Sequence, residues 1–185
     1  MPCKKLLSLI LGLALIACNS KQDIAGVTDT SPLLIAAETG DLPAINRLTK
    51  GNADIDIRDV CQWTPLMKAA LNGHIDVVKQ LIQAGADVNL VDKGGYSALM
   101  LAASNNHVKI LDLLIKNDAN LDQQEHTEGS TALIWAAKLG HAESVGRLVS
   151  GGANKSIKDF DGKFALDWAR ESGHGPIATL LTDAE

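Results

Sequence analysis

The sequence predicts an all-α solenoid of about five helix–turn–helix units, each joined to the next by a loop. Three observations predict it. The triads Ser31-Pro32-Leu33, Thr64-Pro65-Leu66, Ser97-Ala98-Leu99, Thr131-Ala132-Leu133 and Phe164-Ala165-Leu166 begin 33, 33, 34 and 33 residues apart, and self-similarity at such a period marks a repeat architecture. Ala-Ala or Ala-Arg follows each triad at a fixed offset: Ala36-Ala37, Ala69-Ala70, Ala102-Ala103, Ala136-Ala137 and Ala169-Arg170. Apolar residues make up 46% of the 185 and aromatics only 3%, so the core is built from Leu, Ile, Val and Ala, which suits closely packed helices.

The chain opens outside the repeats. Lys4 and Lys5 precede an apolar run from Leu6 to Ala17 broken only by Ser8. That run is too short to cross a hydrocarbon core, which takes about 20 residues, and it fits the apolar region of a secretory signal over residues 1–17. Leu15-Ile16-Ala17-Cys18 resembles the lipobox of bacterial lipoproteins. The resemblance implies that Cys18 is lipidated and becomes the mature first residue. A diacylglycerol supplies the two chains that stable anchoring needs. Asn19 follows, and the resemblance to enterobacterial sorting rules favours the outer membrane. Residues 18–30 then form the lipidated cysteine and a polar, flexible tether reaching at most about 40 Å. With Cys3 removed and Cys18 acylated, Cys61 has no intramolecular partner and is either a buried small hydrophobe or an exposed loop thiol.

Within the repeats, each first helix must stop where the chain turns back. The stopping residue is Gly40, Gly73, Asn106, Gly140 and Gly173, all types that tolerate the left-handed backbone of a helix end. The turn after the second helix shows the same restriction, with Asn52, Gly85, Asp118 and Gly152 in one slot. The second helices carry a helical stripe: Ile75, Val78, Leu81 and Ile82, then Leu111, Leu114 and Ile115. Alanines on the first helices let these stripes pack closely. Two short helices cannot bury such a face alone, so stability comes from stacking neighbours. The last unit carries Asp167, Arg170, Glu171, Thr179, Thr182, Asp183 and Glu185, a polar outer face, and its second helix opens with Gly175-Pro176, where proline is tolerated.

These residues resemble the ankyrin repeat family, whose pattern of about 33 residues contains T-P-L-H-x-A. The resemblance covers residues 31–185, with repeats starting near 31, 59, 92, 125 and 159 and finger loops between them. It implies an ankyrin-repeat solenoid that binds a protein partner through finger tips and the exposed ends of first helices. His74, His107, His141 and His174 share one register position, and the family uses that histidine structurally. A row with one histidine per repeat is also the wrong arrangement for a metal, whose ligands converge. The family's T-P-L-H histidine is replaced by Leu34, Met67, Met100, Ile134 and Asp167, so hydrogen bonding between fingers and helices should differ here.

Carried over position by position, the resemblance implies a binding surface. Its finger residues are Val60, Cys61, Trp63, Lys93, Gly94, Tyr96, Thr127, Glu128, Ser130, Phe160, Asp161 and Lys163. Its first-helix ends are Leu71, Asn72, Ser104, Asn105, Lys138, Leu139, Glu171 and Ser172. Trp135 and Trp168 share an inward slot and are expected in the core. Trp63 and Tyr96 share a finger slot, where packing and binding are both open. They are the leading contacts because hot spots favour Trp and Tyr, and Phe160 at a finger tip is a further candidate. His126 lies outside the histidine register, in a loop (residues 123–130) lengthened by one residue. That loop is either tolerant of length or a partner-specific finger.

No G-x-S-x-G, H-E-x-x-H, C-x-x-C or phosphate-cradling motif occurs. Asp159-Phe160-Asp161-Gly162 resembles a calcium loop, but its glycine comes two residues early and Arg170 stands where a glutamate is needed. No catalytic, metal or cofactor site is therefore expected. The formal charge is −5, or −7 once Lys4 and Lys5 are removed, which disfavours nucleic acid, since phosphate contacts dominate that affinity. An acidic balance suits a basic partner through steering. The expectation is a monomeric, lipid-anchored protein of the bacterial envelope facing the periplasm. It acts as scaffold or stabiliser of an envelope partner, such as an enzyme. The alternative is an inhibitor or immunity protein occluding a periplasmic hydrolase or toxin, and the remaining class is an enzyme.

Overall fold

The computed structural model describes residues 31–51 and 53–182; the expected signal (1–17), Cys18 and the rest of the expected tether, Asn52, Asp183 and Glu185 lie outside the described residues. Ten helices are described, in five pairs: α1 (Pro32–Thr39) with α2 (Leu42–Leu48), α3 (Pro65–Leu71) with α4 (Ile75–Gln83), α5 (Ala98–Ser104) with α6 (Val108–Lys116), α7 (Ala132–Leu139) with α8 (Ala142–Ser150), and α9 (Ala165–Glu171) with α10 (Gly175–Thr182). First helices stack on first helices from α1 through α9, and second helices on second helices from α2 through α10. This is the all-α repeat solenoid that the period predicts. Among the described residues, no helix is long and apolar enough to cross a membrane.

Four of the five first helices start at a hydroxyl, from Ser31, Thr64, Ser97 and Thr131. Thr64 Oγ1, Ser97 Oγ and Thr131 Oγ1 accept from the backbone N–H of Met67, Met100 and Ile134 at 3.2–3.3 Å, which satisfies a donor that the helix leaves open. Where the family histidine is missing, other atoms take its place. Met67 Sδ accepts from Thr64 N at 3.5 Å. Phe164 has no side-chain oxygen to cap α9, and there Asp167 Oδ2 accepts from Phe164 N at 2.9 Å. Met100 and Ile134 are simply buried.

Each first helix ends on a left-handed residue: Gly40, Gly73, Asn106, Gly140 and Gly173 all have φ between 56° and 78°. The turn lets the next N–H return to an alanine carbonyl, as His74 N does to Ala69 O (3.0 Å) and His107 N to Ala102 O (2.9 Å). At the second turn Gly85, Asp118 and Gly152 are left-handed as the slot predicts, and in the first unit Gly51 also takes that conformation.

The core runs the length of the stack. Alanines of the first helices are almost fully buried and face Val77, Val78 and Leu81 of α4, Ile110, Leu111 and Leu114 of α6, and Val145 and Leu148 of α8. Burying one such large side chain is worth about 1.5–3 kcal/mol. The stripe is shifted slightly from the expected one: Ile75, Ile82 and Ile115 are only partly buried at its edges. The last unit exposes Arg170, Glu171, Thr179 and Thr182 as expected, together with Leu180.

Candidate functional site

The histidine row is an inter-repeat staple. His74 Nε2 lies 3.0 Å from Glu38 O, His107 Nε2 3.0 Å from Leu71 O, and His141 Nε2 3.1 Å from Ser104 O. A carbonyl only accepts, so Nε2 carries the proton in each. Each of these three rings therefore belongs to one repeat and holds the last turn of the preceding first helix. The left-handed glycines make room for it: a Cβ on Gly40, Gly73 or Gly140 would fall 2.7 Å from the ring of His74, His107 or His174. At Asn106 the side chain has its own use, accepting from Ser144 Oγ at 2.7 Å. Burial pushes the His141 imidazole below its ordinary pKa, more than the bond to Ser104 O raises it.

The fingers are built on carboxylates. Asp59 Oδ1 accepts from Cys61 N and Trp63 N, Asp92 Oδ1 from Gly94 N and Tyr96 N, and Asp159 Oδ1 from Asp161 N and Lys163 N. Burial raises the Asp92 pKa despite these N–H donors. In the lengthened finger, Glu125 replaces the aspartate. Its carboxylate accepts from Thr127 N, Glu128 N and Ser130 N, and the residue is 1% exposed. One extra methylene in the side chain matches one extra residue in the loop.

Finger tips are stitched in series: Lys93 N donates to Cys61 O (3.2 Å), His126 N to Gly94 O (2.7 Å) and Phe160 N to Glu128 O (2.8 Å). His126 therefore shares the register of Val60, Lys93 and Phe160, a position that sequence reasoning missed because the inserted residue follows it. Its ring covers Gly95, and Phe160 covers Gly129. In the second repeat this glycine slot holds Gln62 at φ 66°.

Val60 (61% exposed) and Phe160 (68%) project from finger tips. Lys93, Thr127 and Asp161 are exposed, and Glu128, Lys163, Lys138, Leu139 and Leu71 are half-buried. Trp63 and Tyr96 are half-buried and pack on the core; the Tyr96 ring lies 6.4 Å from that of Trp135. Burial, and then the Glu125 charge, push the Tyr96 phenol up to about 12, so it stays protonated. Asn72 and Asn105 turn their amides onto their own helices, to Lys68 O and Leu101 O, and Ser104 Oγ donates to Leu101 O. Ser130 is buried, so it does not reach the surface. Cys61 is buried and disulfide-bonded, against the expectation of an unpaired side chain; the other two cysteines, Cys3 and Cys18, lie outside the described residues.

The two inward tryptophans differ. Trp135 is 2% exposed, as expected of a core residue, and its Nε1 has no hydrogen-bond partner. Trp168 is only half-buried, and its Nε1 donates to Asp159 Oδ2 at 2.6 Å. The contrast follows from the fingers: the Glu125 oxygens are taken up by three backbone N–H groups, while Asp159 keeps Oδ2 for the indole. Lysines lie over the indole faces. Lys138 Nζ lies 3.9 Å from the Trp168 centroid and 5.2 Å from that of Trp135, Lys163 Nζ 4.1 Å from Trp168, and Lys68 Nζ 5.8 Å from Trp63.

A family model described as ankyrin repeats (3 copies) matches residues 33–125 and again 99–185. The chain belongs to the ankyrin repeat family. Ankyrin repeats indicate a protein–protein interaction module, and proteins of this kind are typically non-enzymatic. Among the described residues, no group of three or more His, Cys, Asp or Glu side chains is arranged to hold a metal ion.

Proposed function

We propose that this ankyrin protein is lipid-anchored at Cys18, faces the periplasm of a bacterial envelope, and binds an envelope protein as its scaffold or stabiliser. The anchor rests on the apolar run Leu6–Ala17 and its Leu15-Ile16-Ala17-Cys18 end; with only three cysteines in the chain, cleavage and acylation there would leave Cys61 without the intramolecular disulfide described above, so the lipidated form and the disulfide-bonded form are alternatives. The binding surface rests on one observation. Val60 and Phe160, two large apolar side chains, stand exposed at finger tips beside the half-buried rings of Trp63, Tyr96 and Trp168.

The test is co-purification from the native envelope with the detergent-solubilised chain as bait, alongside a Val60→Ser/Phe160→Ala variant. One stoichiometric partner captured by the parent and lost by the variant supports the reading. Equal capture by both overturns the assignment of the surface. An active site that falls silent on binding would make the protein an inhibitor instead. Mass spectrometry of the mature chain tests the anchor. A diacylglyceryl group on Cys18 supports it, whereas a Cys18–Cys61 disulfide in place of the lipid refutes it.

A further inference from the structure

Three stacks of the same composition line the fingers and first helices. Lys68 lies over Trp63 and pairs with Glu38 Oε2 at 3.1 Å. Lys138 lies over Trp135 and Trp168 and pairs with Glu128 Oε2 at 2.6 Å. Lys163 lies over Trp168 and pairs with Glu171 Oε2 at 2.6 Å. In every stack the order of exposure is the same. The lysine side chains are 19%, 16% and 31% exposed, and their glutamates 56%, 31% and 52%.

That layering has an electrostatic consequence. The ring face attracts the ammonium and holds it under its glutamate, so the outermost layer is carboxylate. Lys68 is also drawn inward by Asp59 Oδ2 at 3.4 Å. The lysine takes Oε2 of each glutamate. A second carboxylate edge remains for a planar guanidinium, whose fork matches a carboxylate. Asp161 adds an exposed acid at the finger tip beside Phe160. The chain as a whole carries −5, which steers a cationic partner towards it.

We propose that this face docks a basic protein segment, with partner arginines pairing with Glu38, Glu128 and Glu171 and their aliphatic stems covering Val60 and Phe160. Glu38 and Glu171 share one register position on α1 and α9, four repeats apart. With packed helices about 10 Å apart, the carboxylates span a length that suits an extended or helical stretch rather than one side chain. The proposal rests on the protein-binding reading above and names its partner's chemistry.

The probe is a fluorescein-labelled peptide of alternating arginine and glycine, twelve residues or so in length, titrated with the purified chain and read by anisotropy. A peptide with glutamate in place of arginine is the control. Two variants remove equal charge: Glu38→Gln/Glu128→Gln/Glu171→Gln on this face, and Asp76→Asn/Asp112→Asn/Glu143→Gln on the second helices. The expected result is binding of the arginine peptide alone. Its affinity should fall at least tenfold in the first variant, by less than threefold in the second, and steeply with added salt. Equal loss in both variants would reduce the effect to net charge and overturn the proposal, as would binding of the glutamate peptide. Absence of arginine-peptide binding, with a native partner still captured through Val60 and Phe160, overturns the basic-partner proposal and leaves the interaction module standing. Loss of both fails the two together.

Discussion

The histidine staple makes a quantitative demand on the glycines beneath it. Gly73 and Gly173 occupy the same slot with φ of 77° and 75°. An added Cβ at Gly73 would lie 2.7 Å from His107 Cε1, whereas at Gly173, in the last described repeat, it would meet nothing within 4 Å. Gly173→Ala therefore measures the left-handed backbone alone, about 1–2 kcal/mol. Gly73→Ala adds displacement of a packed ring, about 1–3 kcal/mol, and weakens the 3.0 Å bond from His107 to Leu71 O, about 1 kcal/mol. The expected losses are about 1–2 kcal/mol for Gly173→Ala and roughly 3–6 kcal/mol for Gly73→Ala. Urea unfolding followed by far-ultraviolet circular dichroism reads both, with His107→Ala and Gly73→Ala/His107→Ala completing a double-mutant cycle. The double variant should lose less than the two single losses together, because the histidine that the new methyl strikes is gone. Equal losses at positions 73 and 173, or strict additivity in the cycle, would refute the staple.

Other perturbations follow from the same contacts. The folded-state pKa of His141 lies below its ordinary 6.5, so the unfolded chain binds the proton more readily. Stability from this group is complete above about pH 6.5 and is lost as pH falls through that value; urea midpoints between pH 7.5 and 5.5 should decline, with a shallower slope in His141→Asn. Glu125→Ala leaves three finger N–H groups without their acceptor and should cost about 3 kcal/mol or more, whereas an exposed control such as Asp161→Ala should stay within about 1 kcal/mol. Trp168→Phe breaks the 2.6 Å bond to Asp159, while Trp135→Phe removes an N–H that has no partner. Thermal melts should therefore show the larger loss for Trp168→Phe despite its greater exposure, and the reverse order would contradict this account. The Val60→Ser/Phe160→Ala variant should keep its melting temperature within a few degrees, because both side chains are solvent-exposed.

Much of the solenoid was legible in the sequence because its constraints are local and recur. A helix must end before its chain can turn, few residue types accept that backbone, and glycine or asparagine accordingly recurs at positions 40, 73, 106, 140 and 173. The histidine row was legible as structural for the same reason: four identical residues at one period cannot converge on one ligand. The sequence alone also carried the alanine faces, whereas the finger carboxylates at 59, 92 and 159, and Glu125 in the longer loop, were read only from the structure. The binding surface was much less legible. Residue type suggested Trp63, Tyr96 and Phe160, but exposure depends on neighbours a whole repeat away. Only the tertiary structure placed Lys68 between Trp63 and Glu38, and Lys138 over two indoles under Glu128. It alone buried Ser130 and left Trp168 half open while closing Trp135. These are contacts between separate elements, set by how deep each side chain lies when one repeat stacks on the next. Period and backbone chemistry determine that stacking occurs; side-chain packing across it decides which charges face the solvent.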